Sequence, residues 1–207
     1  MRAAIMTVIL AVSPCCALAQ IGNPAGLAPD TSMEKPGVPA PHQTNYQDRL
    51  FVQLITAGGR AEIEFGRLAA GKTSHEDLRE FANRMVDDHN KANEQLKSVA
   101  DKSKIPLPEG LDPDHKKIRS DLEKLDGAAF ELAYLRAQIV DHQRTAQLLA
   151  WEIGSGEDAA LQRFASEKLP TVLEHLDLAR TLHAKLAGQA LFAPDTQKAM
   201  KRRSCCT

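Results

Sequence analysis

Apolar residues recur at steps of three and four along four long stretches, which together span about residues 45–188. Such steps keep side chains on one face of an α-helix, so the pattern predicts four amphipathic helices and an all-α fold. Ser74 is predicted to cap the second helix, and Gly154-Ser155-Gly156 to end the third. The predicted helices cover about residues 45–70, 74–102, 126–153 and 157–188.

Two features interrupt the predicted helices, and a third fills a connection. Gly58-Gly59 in the first helix indicates a kink or the close approach of a neighbouring helix, and Pro170 predicts a kink in the fourth. After the second helix, Asp112-Pro113 predicts a short extra helix, on which His115 is expected to face solvent. Short connections imply antiparallel neighbours. The predicted fold is an antiparallel four-helix bundle with up-down-up-down topology and a short extra helix in the connection between helices two and three.

Both ends of the chain differ from the helical region. Arg2, an apolar run and Ala17-Leu18-Ala19 form the pattern of a secretory signal peptide, with lipidation at Cys15 as the alternative. The protein is therefore predicted to be periplasmic or secreted. The predicted organisation is a signal peptide (1–19), a Pro-rich linker (20–43), the bundle (44–188) and a basic C-terminal tail (189–207) that contains Cys205 and Cys206.

Composition and charge exclude several classes of partner. The 207 residues are 43% hydrophobic and 26% charged, a globular balance, and only 4% are aromatic, which favours helices over sheets. The formal net charge of −1 provides no strong field for binding nucleic acid. No apolar run reaches the roughly 20 residues of a membrane-spanning helix. We expect neither a nucleic-acid partner nor an integral membrane span, and an envelope protein is the candidate partner.

An acidic residue precedes a histidine on each of the last three long helices. The pairs are Asp88-His89, Asp141-His142 and Glu174-His175, and each histidine lies on the apolar stripe of its helix. In the up-down-up-down arrangement, helical rise places the three histidines near mid-bundle but spread over roughly 10 Å. Glu62 of the first helix lies near the edge of an apolar face, at a level nearest to that of His142.

Three imidazoles and one carboxylate form a ligand set for a single zinc, copper or similar transition-metal ion. The candidate metal ligands are His89, His142, His175 and Glu62. A carboxylate-bridged di-iron centre is not expected, because none of the three histidines belongs to a Glu-x-x-His motif. Each adjacent acid lies about 100° around the helix from its histidine. It is therefore expected to accept a ring N–H from a histidine of a neighbouring helix.

A second interpretation stays open. The histidines are then polar residues that hydrogen-bond within the core, and the protein is a non-catalytic envelope or stress-associated interaction or scaffold protein. No nucleophile elbow, Cys-His pair, phosphate loop or CxxC motif is present in the sequence, so no catalytic residue is assigned and enzymatic activity is not favoured. Retention of a metal ion distinguishes the two interpretations.

Four groups of residues occur together between about Gln47 and Leu186. They are Ala61-Glu62-Ile63-Glu64 with Gly66, Phe81-Ala82-x-x-Met85-Val86-x-Asp88-His89, Ala129-Phe130-x-x-x-Tyr134 with His142, and Leu169-Pro170 with His175. In these residues the region resembles the bacterial family of domain of unknown function 4142. The resemblance implies an exported, ferritin-like helical bundle of a kind often labelled a putative outer-membrane protein, and it implies no established activity. It also places Glu62, His89, His142 and His175 in a recurrent pattern without an accepted ligand set.

Overall fold

The computed structural model describes residues 46–192, which contain five α-helices and no β-strand, so the all-α prediction is confirmed. The last helix continues to Phe192, beyond its predicted end near Gly188. The predicted signal peptide, the linker and residues 193–207 lie outside the described residues. The helices are α1 (Tyr46–Lys72), α2 (Glu76–Lys102), α3 (Pro113–Glu123), α4 (Gly127–Ser155) and α5 (Ala159–Phe192). Within residues 46–192, none of these helices combines the length and apolar character that crossing a membrane requires.

The cap residue predicted at the start of α3 is the one observed, whereas the cap residue predicted for α2 is not. Asp112 caps α3 as predicted, because its Oδ1 accepts the backbone N–H of Asp114 at 3.0 Å. The predicted Ser74 cap of α2 is wrong: the residue at the cap position is His75. His75 makes no side-chain cap hydrogen bond, and Oγ1 of Thr73 accepts the His75 N–H at 3.1 Å in the turn before the helix.

Contacts at the helix ends establish the direction of each helix. Near the start of α1, Asp48 accepts hydrogen bonds from the backbone N–H groups of Glu157 and Asp158, both at 3.0 Å, immediately before α5. At the end of α1, Lys72 pairs with Asp126 at 3.0 Å, immediately before α4. α1 and α4 therefore run in opposite directions, and α4 and α5 do as well.

The predicted up-down-up-down topology is wrong, because α3 carries the chain back along the molecule. α3 contacts α1 and α4, and it returns the chain to the end where α2 began. α2 and α4 therefore point in the same direction, while α5 runs against both, with Lys185 paired to Asp77 at the start of α2. His89 and His142 consequently lie at similar depths, about 20 Å and 22 Å along their helices from a common end.

A layer of buried polar residues, formed by Glu62, His89, His142 and His175, divides the hydrophobic core into two clusters. One cluster surrounds Phe51, Leu96 and Leu161, and the other surrounds Phe65 and Tyr134. Each fully buried large apolar side chain contributes about 1.5–3 kcal/mol to folding. Each of the four long helices has a polar residue in this layer, which does not make that hydrophobic contribution.

Close packing of α1 on α2 explains one glycine of the Gly58-Gly59 pair. A Cβ at Gly59 would lie 2.3 Å from Oδ1 of Asn93, whereas a Cβ at Gly58 would have no neighbour within 4 Å. The predicted close approach is therefore confirmed at Gly59. Pro170 lies inside α5, and the kink at that residue stays a prediction.

Candidate metal centre

His89 of α2, His142 of α4 and His175 of α5 meet in the polar layer between the two apolar clusters. Their ring centroids are between 5.4 and 5.8 Å apart. All three are buried, with exposed fractions of 9%, 1% and 1%. One ring nitrogen of each lies within 4.8 Å of those of the other two, which makes the three rings candidate ligands of a single ion. The structure thus brings together the three histidines that the sequence selects.

The proton position of His142 follows from its partner. Nδ1 of His142 lies 2.9 Å from the backbone carbonyl oxygen of Gln138. A carbonyl only accepts hydrogen bonds, so Nδ1 carries the proton and Nε2 keeps a free lone pair. This buried Nε2 has no hydrogen-bond partner.

His175 is oriented by the acid that precedes His89. Nε2 of His175 lies 3.0 Å from Oδ2 of Asp88. Burial raises the pKa of Asp88, but hydrogen bonds from His175 and Arg84 outweigh burial and lower that pKa overall, so Asp88 is a carboxylate acceptor. His175 therefore donates from Nε2, and its buried Nδ1 has a free lone pair and no partner. The expectation that an adjacent acid accepts a ring N–H from another helix is confirmed for Asp88.

Burial keeps all three imidazoles neutral. It lowers the pKa of His89 well below its usual value, reinforced by repulsion from His142 and His175. Burial and repulsion from His175 lower the pKa of His142 to about 3, against a smaller opposing effect of the Gln138 carbonyl. The pKa of His175 is also lowered, because burial outweighs the Asp88 hydrogen bond. Neutral imidazole is the form that binds metal ions.

Each of the three histidine rings has one nitrogen that no hydrogen bond satisfies. Nε2 of His89, Nε2 of His142 and Nδ1 of His175 are all buried, and all lack hydrogen-bond partners. A buried polar atom left unsatisfied costs about 1–3 kcal/mol, and the large majority of buried side-chain polar atoms in proteins have a hydrogen-bond partner. Three unsatisfied nitrogens in one layer are the arrangement that a bound cation would satisfy.

Glu62 lies on the Nδ1 side of the His142 ring, away from the unpartnered Nε2. Its Oε2 accepts a hydrogen bond from Nε2 of Gln138 at 2.5 Å, and its Oε1 is 3.6 Å from Nδ1 of His142. Burial, followed by the charge of Asp141, raises the pKa of Glu62 well above its usual value against the lowering effect of the Gln138 hydrogen bond, which favours the protonated form of this side chain. A neutral acid is a poor metal ligand. The metal-ligand role of Glu62 stays a prediction.

The other two acids of the acidic-His pairs have different partners. Glu174 pairs with Arg84 at 2.9 Å. Asp141 faces His115, with Oδ2 at 3.7 Å from Nε2. The predicted exposure of His115 is wrong: it is 1% exposed, because the Asp112 cap holds the first turn of α3 against α1 and α4.

Gln138 is a supporting residue that the sequence reasoning did not select. Its backbone carbonyl orients His142, and its side-chain amide donates to Glu62. It is fully buried. The available signal was a polar residue four positions before His142, which places it on the same apolar stripe.

The chain matches a described family in sequence and resembles solved structures in fold. A family model described as "Domain of unknown function (DUF4142)" matches residues 33–182. No curated protein is significantly similar in sequence. A structure titled "Crystal structure of DUF305 fragment from Deinococcus radiodurans" is similar at 15% identity with a TM-score of 0.62, covering 70% of this chain and 99% of that one. Another, "CopM in the Cu(II)-bound form", is similar at 16% identity with a TM-score of 0.58, covering 67% and 96%. At these identities the likeness shows a shared fold.

Proposed function

The chain belongs to the family described as domain of unknown function DUF4142, and from the geometry of its core we propose that it is an exported metal-binding protein. In this proposal His89, His142 and His175 hold one transition-metal ion. The observation that carries the proposal is the meeting of three buried histidines: one ring nitrogen of each lies within 4.8 Å of those of the other two, and each ring has a buried nitrogen without a hydrogen-bond partner. The neutral state of the rings supports it, because no proton has to leave before an ion binds.

The ligand chemistry favours zinc, copper or a similar ion. Imidazole nitrogens suit these metals, whereas magnesium and calcium prefer oxygen ligands. Copper is the first ion to test, because the CopM structure of similar fold is titled as a Cu(II)-bound form. Three protein ligands also leave a coordination position for a further ligand, as in zinc sites with three histidines.

We further interpret the helices as a ferritin-like four-helix bundle in which α3 is the extra helix. Each of α1, α2, α4 and α5 packs on two of the others, and α3 lies against α1 and α4. A long crossover between helices two and three is one of the known connections in such bundles. Export is the remaining part of the proposal, and it is supported by the signal-peptide pattern of residues 1–19.

The test is the metal content of the mature protein, purified without chelator or histidine tag and then incubated with Cu(II), Zn(II) or Fe(II). We expect close to one equivalent of copper or zinc in the native protein. His142→Gln should lower the affinity on the order of 100-fold, because it removes one ligand from a three-ligand site. His75→Gln is the matched control, since His75 is about half exposed and lies at the start of α2, apart from the histidine layer.

Two results would contradict the proposal. One is a native protein that takes up none of the three ions. The other is equal metal uptake in the native protein and in a folded His142→Gln variant, as judged by circular dichroism. In either case the histidines are structural, and an interaction or scaffold role in the envelope becomes the function to test.

A further inference from the structure

A second polar layer lies one helical turn from the histidines. Asn93 is four residues after His89, Thr145 is three after His142, and Thr171 is four before His175. Because α5 runs opposite to α2 and α4, these offsets place all three side chains on the same side of the histidine layer. All three line one cavity of about 170 Å³, together with His89 and His175.

Helix α1 leaves room for this cavity. At the level of the second polar layer, three residues before Glu62, α1 carries Gly59, which also lines the cavity. Because a Cβ at position 59 would meet the amide oxygen of Asn93 at 2.3 Å, a larger residue would displace Asn93. Three helices therefore contribute a polar side chain to this layer, and the fourth contributes space.

The cavity combines apolar walls with positive charge. Ile55, Leu149 and Phe164 are among its apolar lining residues. Lys91 and Lys168 also line it, and Nζ of Lys168 lies 5.9 Å from the ring centroid of Phe164. Lys91 is exposed, but its Nζ lies 3.8 Å from Oδ1 of Asp88, a carboxylate that also lines the cavity. Lys168 is half-buried, and with two lysines against one carboxylate the lining keeps a net positive charge that attracts an anion from solvent.

We propose that this cavity admits a small anion to the remaining coordination position of the bound metal ion. This inference rests on the proposed metal site. The ligand class is an anion of a few non-hydrogen atoms with nitrogen or oxygen acceptors. The Asn93 amide and the hydroxyls of Thr145 and Thr171 are its hydrogen-bond donors. His89 and His175 border the cavity, so an anion inside it lies beside two of the three metal ligands.

The test is an azide titration of the copper-loaded protein, after elemental analysis has shown one equivalent of Cu(II). Absorption and electron paramagnetic resonance spectra should change saturably, with one azide bound per copper. In a Thr145→Val, Thr171→Val double variant the azide Kd should rise about 10-fold or more, since each valine removes a hydrogen bond to a charged ligand. Thr181→Val on α5 is the matched control, because Thr181 is exposed and lies six residues beyond His175, on the side of the histidine layer away from Thr171.

The lysines provide an independent readout. Lys91→Gln and Lys168→Gln should weaken azide binding a few-fold at low ionic strength, and this difference should shrink in 1 M salt, where the Debye length is about 3 Å. Copper-loaded protein whose spectra do not respond to azide would overturn this inference and leave the metal site intact. An unchanged azide Kd in the threonine double variant would also overturn it. Failure to bind copper or any other tested ion would overturn the metal site and this inference with it.

Discussion

The carboxylate of Asp88 on α2 accepts a hydrogen bond from Nε2 of His175 on α5 across 3.0 Å. This bond places the proton of His175 on Nε2 and leaves a free lone pair on the buried Nδ1. Because Asp88 is adjacent to His89, α2 provides one candidate ligand and the partner that orients another.

Replacing Asp88 with Asn should weaken metal binding without abolishing it. A carboxylate that orients a ligating histidine typically contributes 10- to 100-fold to affinity. We therefore expect one equivalent of metal in the Asp88→Asn variant, with a Kd raised by about that factor in calorimetric titrations. The neighbouring exposed Asp87 offers the matched control, Asp87→Asn. Equal affinities for the Asp88→Asn variant and this control would show that the hydrogen bond has no role in metal binding.

Replacing Glu62 with Gln distinguishes a ligand from a supporting residue. Glutamine is close to glutamic acid in shape, and the raised pKa of Glu62 favours its neutral form. The carbonyl of the new glutamine is also able to accept the hydrogen bond from Gln138. We expect the metal Kd of Glu62→Gln to stay within about threefold of the native value. A loss as large as that of His142→Gln would instead identify Glu62 as a ligand.

Two glycines of α1 should respond oppositely to alanine. A Cβ at Gly66 would lie 2.8 Å from the backbone oxygen of Ala82 and 2.9 Å from Cγ2 of Val86, so Gly66→Ala should force α1 and α2 apart. The expected cost is about 1–3 kcal/mol. Gly58→Ala has free space and should stabilise the helix by about 0.5–1 kcal/mol. Urea unfolding measures both, and equal effects would refute the close helix contact.

Glu152 should make stability depend on pH at the end of the bundle. Burial, then the charge of Asp48, raises the pKa of Glu152 to about 8, against an unfolded value near 4.5. Between these values the folded state holds more protons than the unfolded state, so the free energy of unfolding falls as pH rises from about 4.5 to about 8.

The variant Glu152→Gln removes this dependence. The free energy of unfolding of the variant, minus that of the native protein, should rise by roughly 1–3 kcal/mol between pH 5 and pH 8, allowing for solvent screening. Thermal unfolding at the two pH values provides the measurement. Glu157→Gln, an exposed neighbour in sequence, serves as control. If the difference in stability between the native protein and Glu152→Gln is the same at pH 5 and pH 8, the pKa of Glu152 is not raised in the folded state.

The sequence was sufficient for the helices and the three histidines, but not for the path of the chain. Apolar periodicity identifies each long helix because burial of one face depends on local spacing. The direction of α4 depends instead on how far α3 carries the chain, and this follows from long-range contacts such as Lys72 with Asp126. The assumed up-down-up-down order therefore overstated the spread of the histidines.

The roles of side chains around the histidines depended on tertiary packing as well. His115 was predicted to face solvent because it lies in the first turn of a polar helix, yet packing of α3 buries it next to Asp141. Gln138 supports the centre through its backbone carbonyl, which residue type alone does not reveal. Sequence spacing selects residues that share a face, whereas their partners on other helices require the fold.

X-ray absorption spectroscopy of the copper- or zinc-loaded protein tests the central claim most directly. We predict a first shell containing three imidazole nitrogens at about 2.0–2.1 Å, with the outer-shell scattering typical of histidine rings. His142→Gln should reduce that histidine contribution from three to two. A first shell of oxygen ligands without imidazole scattering, or an unchanged spectrum in the variant, would contradict a metal centre formed by His89, His142 and His175.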